Sequence, residues 1–160
     1  MALLTLRNSM SGALIYAAGD SAAALLTDEF QWFRLLGMML VGGTLYAIEI
    51  PAYFNWLARC FRGSDLRNRI LRALLAQAFF NPLWIARHIA LIYCVSGRFA
   101  ELDRQLLNIG LASFLRIVPL AITANYLIQN HIPLRWRFIS SAIFSAMMAV
   151  YYAMSDAFFG

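Results

Sequence analysis

Five long apolar stretches, at about residues 9–26, 32–57, 70–96, 106–128 and 138–154, make up most of this chain and leave only short connectors between them. Each is close to the ~20 residues that a helix needs to cross a hydrocarbon core about 30 Å thick. A backbone in lipid must satisfy its own N–H and C=O groups, and within a single segment only a helix does that. Strand-type alternation is absent, so a barrel is not expected. Composition points the same way: 62% of residues are hydrophobic and 13% are charged, whereas soluble chains carry about 25% charged residues. A soluble fold of 160 residues could not hide that much apolar surface. The expected fold class is all-α, an integral membrane bundle of four to five transmembrane helices, forming a single domain over residues 1–160. In the four-span version, one stretch lies along the surface. No connector is long enough to hold a separate soluble active site.

The connectors sort the charge. One side collects Arg7, the 59–72 loop with Arg59, Arg62, Arg67, Arg69 and Arg72, and the short link with Arg135 and Arg137. The other collects Arg34, Arg98 and Arg104, offset by Asp28, Glu29, Glu101, Asp103 and Asp156. This asymmetry supports five crossings with the N-terminus on the cytoplasmic or matrix-like side. Every basic residue is arginine, and the formal net charge is +5. Guanidinium forks suit phosphate oxygens, and a basic loop between two spans sits at headgroup level, where each charge contributes about 1 kcal/mol toward an anionic surface. Arg59, Arg62, Arg67, Arg69, Arg72, Arg135 and Arg137 are therefore read as anionic-lipid contacts. A bound acidic phospholipid such as cardiolipin is the expected ligand, and nucleic acid is not an expected partner. Ordinary positive-inside topology explains the same arginines without any specific site. Trp32, Trp56, Trp84 and Trp136 lie mostly near span ends, as interfacial aromatics do.

Four charges fall deep inside the apolar stretches, well away from their ends: Asp20, Glu49, Arg87 and Arg116. An unpaired charge at mid-bilayer costs at least ~2.5–3.5 kcal/mol, so such groups face the bundle and find partners. Depth along each helix, at about 1.5 Å per residue, predicts an Asp20–Arg87 pair and a Glu49–Arg116 pair. Such pairs either lock the helices together or line a hydrated path. Small residues recur at every fourth position in the rows Ser9, Ala13, Ala17, Ser21 and Ser141, Ser145, Ala149, Ala153, which would let another backbone approach closely. Pro51, Pro82 and Pro119 are expected to kink or open their helices.

Nothing in the sequence suggests catalysis. There is no G-x-S-x-G, no phosphate loop, no H-E-x-x-H and no carboxylate pair at helical spacing. Cys60 and Cys94 lack CxxC spacing, and His88 and His131 lack ligand spacing, so no metal site or other cofactor is expected. The N-terminal stretch, which carries Asp20, does not read as a cleaved signal.

The order of features resembles the Mpv-seventeen/PMP-twenty-two family of peroxisomal and inner mitochondrial membrane proteins. "GALIYAAGD" is similar to that family's opening, with Gly19 and Asp20 at its Gly-Asp. Asp28 and Arg34, followed by Gly37, Gly42 and Gly43, resemble its next block, and "LLAQAFFNP" keeps the Gln77-to-Pro82 spacing. Pro119, Asn125, Tyr126, Pro133, Arg137 and Tyr151 follow the order of its C-terminal signature. Several of the family's polar positions are apolar in this chain, at Ala24, Ala76, Val118, Ile122, Met148 and Ala153. The resemblance implies a membrane helical bundle, and some family members are described as small-solute channels. The expectation is a non-enzymatic, lipid-contacting accessory subunit of an inner mitochondrial membrane complex, with other membrane protein subunits as partners. The alternative is a small-solute channel acting alone or as a homo-oligomer. A peroxisomal or bacterial inner membrane satisfies the same physics.

Overall fold

The computed structural model describes residues 4–159, with side chains described up to 151 and at 154. The side chains of Ala153, from the small-residue row, and Asp156, from the acidic group, thus lie outside the described residues. The described chain is all-helical, without a strand: α1 (Leu6–Leu26), α2 (Trp32–Val41), a π-helical segment (Gly42–Tyr46), α3 (Ala47–Cys60), α4 (Leu66–Phe79), α5 (Pro82–Val95), a 3₁₀ turn (Phe99–Glu101), α6 (Gln105–His131) and α7 (Leu134–Phe159). Among the described residues two helices are long and apolar enough to cross a membrane. They are Gln105–His131 and the continuous run Trp32–Cys60 formed by α2, the π segment and α3. A third is added if α4 and α5, bent by 40° at residues 80–81, count as one broken span. The apolar stretches at 9–26 and 138–154 are helical, as α1 and α7, but do not join that set.

The chain divides into two compact units, residues 1–51 with 138–160, and residues 52–137. In the first, the Thr5 side chain caps α1 by accepting from the Asn8 backbone N–H at 3.2 Å. The helix ends where Asp28 takes a positive φ of 55° and the Glu29 N–H turns back to the Ala24 carbonyl at 2.8 Å. A short turn then delivers the chain into α2, making a helical hairpin. Pro51 lies inside α3 and can neither donate to the carbonyl four residues back nor sit close to it. The widened π turn lies directly ahead of that carbonyl, and hydroxyls engage neighbouring oxygens there. Ser9 Oγ donates to the Gly43 carbonyl at 2.7 Å and Thr44 Oγ to the Leu40 carbonyl at 2.6 Å. α1 meets the π segment backbone to backbone. A Cβ on Gly12 would overlap the Gly42 carbonyl, and one on Gly19 would fall 2.5 Å from the Ala146 Cβ. Tyr16, Met38, Tyr46 and Ile50 fill the space beside these contacts, with the two tyrosine rings 4.8 Å apart.

In the second unit Asp65 caps α4, accepting from the Asn68 N–H at 3.2 Å. Asn81 caps α5, accepting from the Trp84 N–H at 3.0 Å, with Pro82 in the first turn. An Asn-Pro pair starts a helix readily and cannot continue one. The break between α4 and α5 is therefore written locally. α6 crosses both helices, and its Gly110 lies against the Pro82 carbonyl and Ala86. Tyr53 stacks on Phe79 at 4.5 Å and donates its hydroxyl to the Leu75 carbonyl at 2.8 Å. Pro119 does not interrupt α6. Away from these contacts α6 exposes Leu107, Leu111, Leu115, Leu120 and Leu127.

Candidate functional site

Two clusters of charged and polar side chains stand out, one in each unit. In the first unit Asp20 is 5% exposed, on the buried face of α1. Both of its oxygens are taken by Arg34 from the first turn of α2: Nε to Oδ2 at 2.8 Å and Nη2 to Oδ1 at 2.8 Å. This is a planar fork on a carboxylate, the geometry that makes an arginine ion pair strong. Glu29, at the mouth of the hairpin, reaches Arg34 Nη1 at 3.4 Å. The pair is closed on itself. It ties the two arms of the hairpin together and presents no open charge.

This corrects the predicted Asp20–Arg87 pair. A hairpin turning over residues 27–31 places the level of Asp20 opposite residue 38, and Arg34 sits one turn, about 6 Å, nearer the turn. An arginine stem covers a gap of that size with its head pointing inward. Arg34 lies beside the connector, two residues inside the 32–57 stretch, so its depth alone does not mark it as the partner. Arg87 lies in the second unit with its guanidinium 5.8 Å from the centre of the Trp84 ring. The predicted Glu49–Arg116 pair would join residues of different units. Arg116 is exposed on α6 and forms no ion pair among the described residues. It lies two and a half turns from buried Asn125, on the far side of the helix. Glu49 is half-buried in the first unit.

The second cluster lies where α4 begins and α6 ends. Arg72 donates Nε and Nη2 to Asn130 Oδ1 at 3.1 and 2.9 Å, and Nη1 to the Phe61 carbonyl at 2.6 Å. Asn130 is fixed in turn, donating to the Arg69 and Tyr126 carbonyls at 3.2 and 2.9 Å. Arg137 donates Nε to the Ile132 carbonyl at 3.0 Å and Nη1 to Gln129 Oε1 at 3.3 Å. Burial first, and then the nearby Arg72 charge, pull the Arg137 guanidinium below its ordinary value. It stays charged at any physiological pH. Gln129 is fully buried, and its Nε2 has no partner among the described residues. A little deeper, Asn125 Nδ2 donates to Gln77 Oε1 at 2.9 Å in a buried contact between α6 and α4.

Of the seven arginines predicted to touch anionic lipid, the structure brings Arg72 and Arg137 together around the end of α6. It leaves Arg59, Arg62, Arg67 and Arg135 exposed, with Arg69 half-buried beside Asn130. Charge counting did not find the amide row Gln77, Asn125, Gln129 and Asn130. Its signal was four side-chain amides in otherwise apolar helices. No family model, curated protein or solved structure matches the chain.

Proposed function

We propose that the chain is a non-enzymatic integral membrane protein that contacts acidic lipid through its basic end and serves as an accessory subunit of a membrane complex. The observation that carries this reading is Arg116. It lies eleven residues into a 27-residue membrane-length helix, exposed on the face opposite Asn125, and no acid answers it among the described residues. A charge left in that position costs at least ~2.5–3.5 kcal/mol, and a carboxylate on a neighbouring span removes most of that cost. The leucines beside it on α6 supply the apolar surface such a span would pack against. The closed Asp20–Arg34 fork supports the same reading, because an ion pair that satisfies itself fastens helices and leaves nothing to line a path. Five crossings, with α1, α7 and the α4–α5 pair in the membrane, agree with the arginine asymmetry. The inner mitochondrial setting rests on the resemblance to the Mpv-seventeen/PMP-twenty-two family.

The test is native electrophoresis of the gently solubilised protein. The expected result is an assembly much larger than 18.1 kDa that Arg116→Leu reduces to the single chain, with helical content unchanged. An assembly indifferent to Arg116→Leu removes the support for this reading. Purified protein that makes sealed vesicles leak small solutes favours the channel instead.

A further inference from the structure

Among the described residues, Arg72 and Arg137 are two ordered cations without an anion. Every partner they have among the described residues is a neutral oxygen, from an amide or a main-chain carbonyl. A guanidinium carries five N–H donors. Arg72 uses three and Arg137 two, which leaves two and three unspent on neighbouring groups. The two are anchored on adjacent residues at the end of α6, Arg72 on Asn130 and Arg137 on Gln129, and the charge of Arg72 bears on Arg137. On the same amide that accepts from Arg137, the buried Gln129 Nε2 is a further donor with no partner among the described residues. Like charges held near each other with unused donors are unfavourable unless something negative sits between them. The positions of both heads are already fixed by Asn130, Gln129, Phe61 and Ile132, so an incoming oxyanion would not have to order them.

We propose that Arg72 and Arg137 form a binding site for one phosphate group, supplied in a membrane by the headgroup of an acidic phospholipid. The membrane-length helix Gln105–His131 ends one residue past Asn130, which sets the cluster at headgroup level. Phosphate matches because its tetrahedral oxygens accept from two forks at once. Arg59, Arg62 and Arg67 differ in kind: they are exposed and add diffuse attraction rather than a site. The source of the phosphate rests on the membrane reading above, whereas the oxyanion chemistry does not.

The experiment uses the full chain, delipidated in neutral detergent. One arm titrates dihexanoyl phosphatidylglycerol and counts adducts by native mass spectrometry; the other titrates inorganic phosphate and follows the thermal midpoint. The wild type is expected to take one lipid per chain. The R72Q/R137Q double variant is expected to bind about tenfold more weakly. R59Q/R67Q, which removes the same charge, is expected to change binding less than about twofold. A saturable lipid adduct without phosphate stabilisation assigns the site to headgroups, and phosphate stabilisation without a lipid adduct assigns it to free phosphate; both support an oxyanion site. Equal losses in the two double variants, or none in R72Q/R137Q, overturn it. If R72Q/R137Q does not fold, R72K/R137K keeps the charge and loses the fork, and wild-type binding there overturns the proposal equally. Retention of the chain in membranes after alkaline washing is scored separately. A chain that washes off defeats the membrane reading and leaves the phosphate measurement intact.

Discussion

In the first unit a buried carboxylate meets the one guanidinium its hairpin can deliver, while in the second, two half-buried guanidiniums meet only amides and carbonyls. Both clusters take ionised groups partly out of water. The Asp20–Arg34 fork is neutral as a unit and complete, so its contribution lies in fixing α1 against α2. The Arg72–Arg137 cluster keeps its net charge, and its polar partners orient the heads without neutralising them. Hydrogen-bonded but uncompensated charge is the arrangement expected where a ligand completes the electrostatics. Charge that finds its mate within the fold is structural.

Breaking the completed pair should give the largest effect. Asp20→Asn leaves Arg34 charged and half-answered, and losing one partner of a buried pair costs about 3–5 kcal/mol. Unfolding in mixed micelles should show that loss. The exchanged variant Asp20→Arg/Arg34→Asp should recover part of it, and Asp20→Leu/Arg34→Leu should lie nearer the wild type than either single change. If Asp20→Asn unfolds like the wild type, the fork is not what holds the hairpin. Next in size is the backbone contact beside it. Gly12→Ala places a methyl group inside the Gly42 carbonyl, and neither helix backbone can yield cheaply. Overpacking of this kind costs roughly 1–3 kcal/mol, read in the same assay. In the second unit, Asn125→Leu strands the Gln77 carbonyl oxygen in a buried contact and should cost about 1–3 kcal/mol. The double replacement Gln77→Leu/Asn125→Leu should restore most of that, because neither amide is then left unanswered.

The helices were readable because their cause is local. Apolar runs of membrane length, the Thr5, Asp65 and Asn81 caps, and Pro82 after Asn81 all act within a few residues, and the stretches at 32–57 and 106–128 became the two helices of membrane length. The partner of Asp20 was not legible, because depth along a helix gives a level and no direction around the axis. Arg116 shares a helix with Asn125 and faces the other way. The Cα of Arg34 lies near the end of its stretch, but an arginine head can sit a full turn from its own Cα. The π segment at Gly42–Tyr46 could be suspected from Pro51 and the paired glycines, but its register depends on Ser9 and Gly12 across the interface. Contacts set by rotation and close approach are properties of the packed pair, and neither sequence partner carries them alone.

The smallest expected effect lies at the exposed start of α4 and separates orienting from neutralising. Asp65 is fully exposed, and its carboxylate is held below the usual range by the Asn68 side chain and then by the Asn68 backbone N–H. A depressed carboxylate contributes stability that is present above its unfolded value, near 4, and lost as pH falls through the lower folded value. The Asn68 amide should therefore lose protection, after correction for intrinsic exchange, as the pH falls below the ordinary carboxylate range. Asp65→Asn keeps an acceptor at the cap without a titrating group, so its profile should stay flat over that range. A flat wild-type profile would mean that the cap works by geometry alone, like the neutral oxygens around Arg72. A profile that falls would show that even at this exposed end ionised oxygen outperforms amide oxygen, which is the preference a phosphate at Arg72 and Arg137 would exploit.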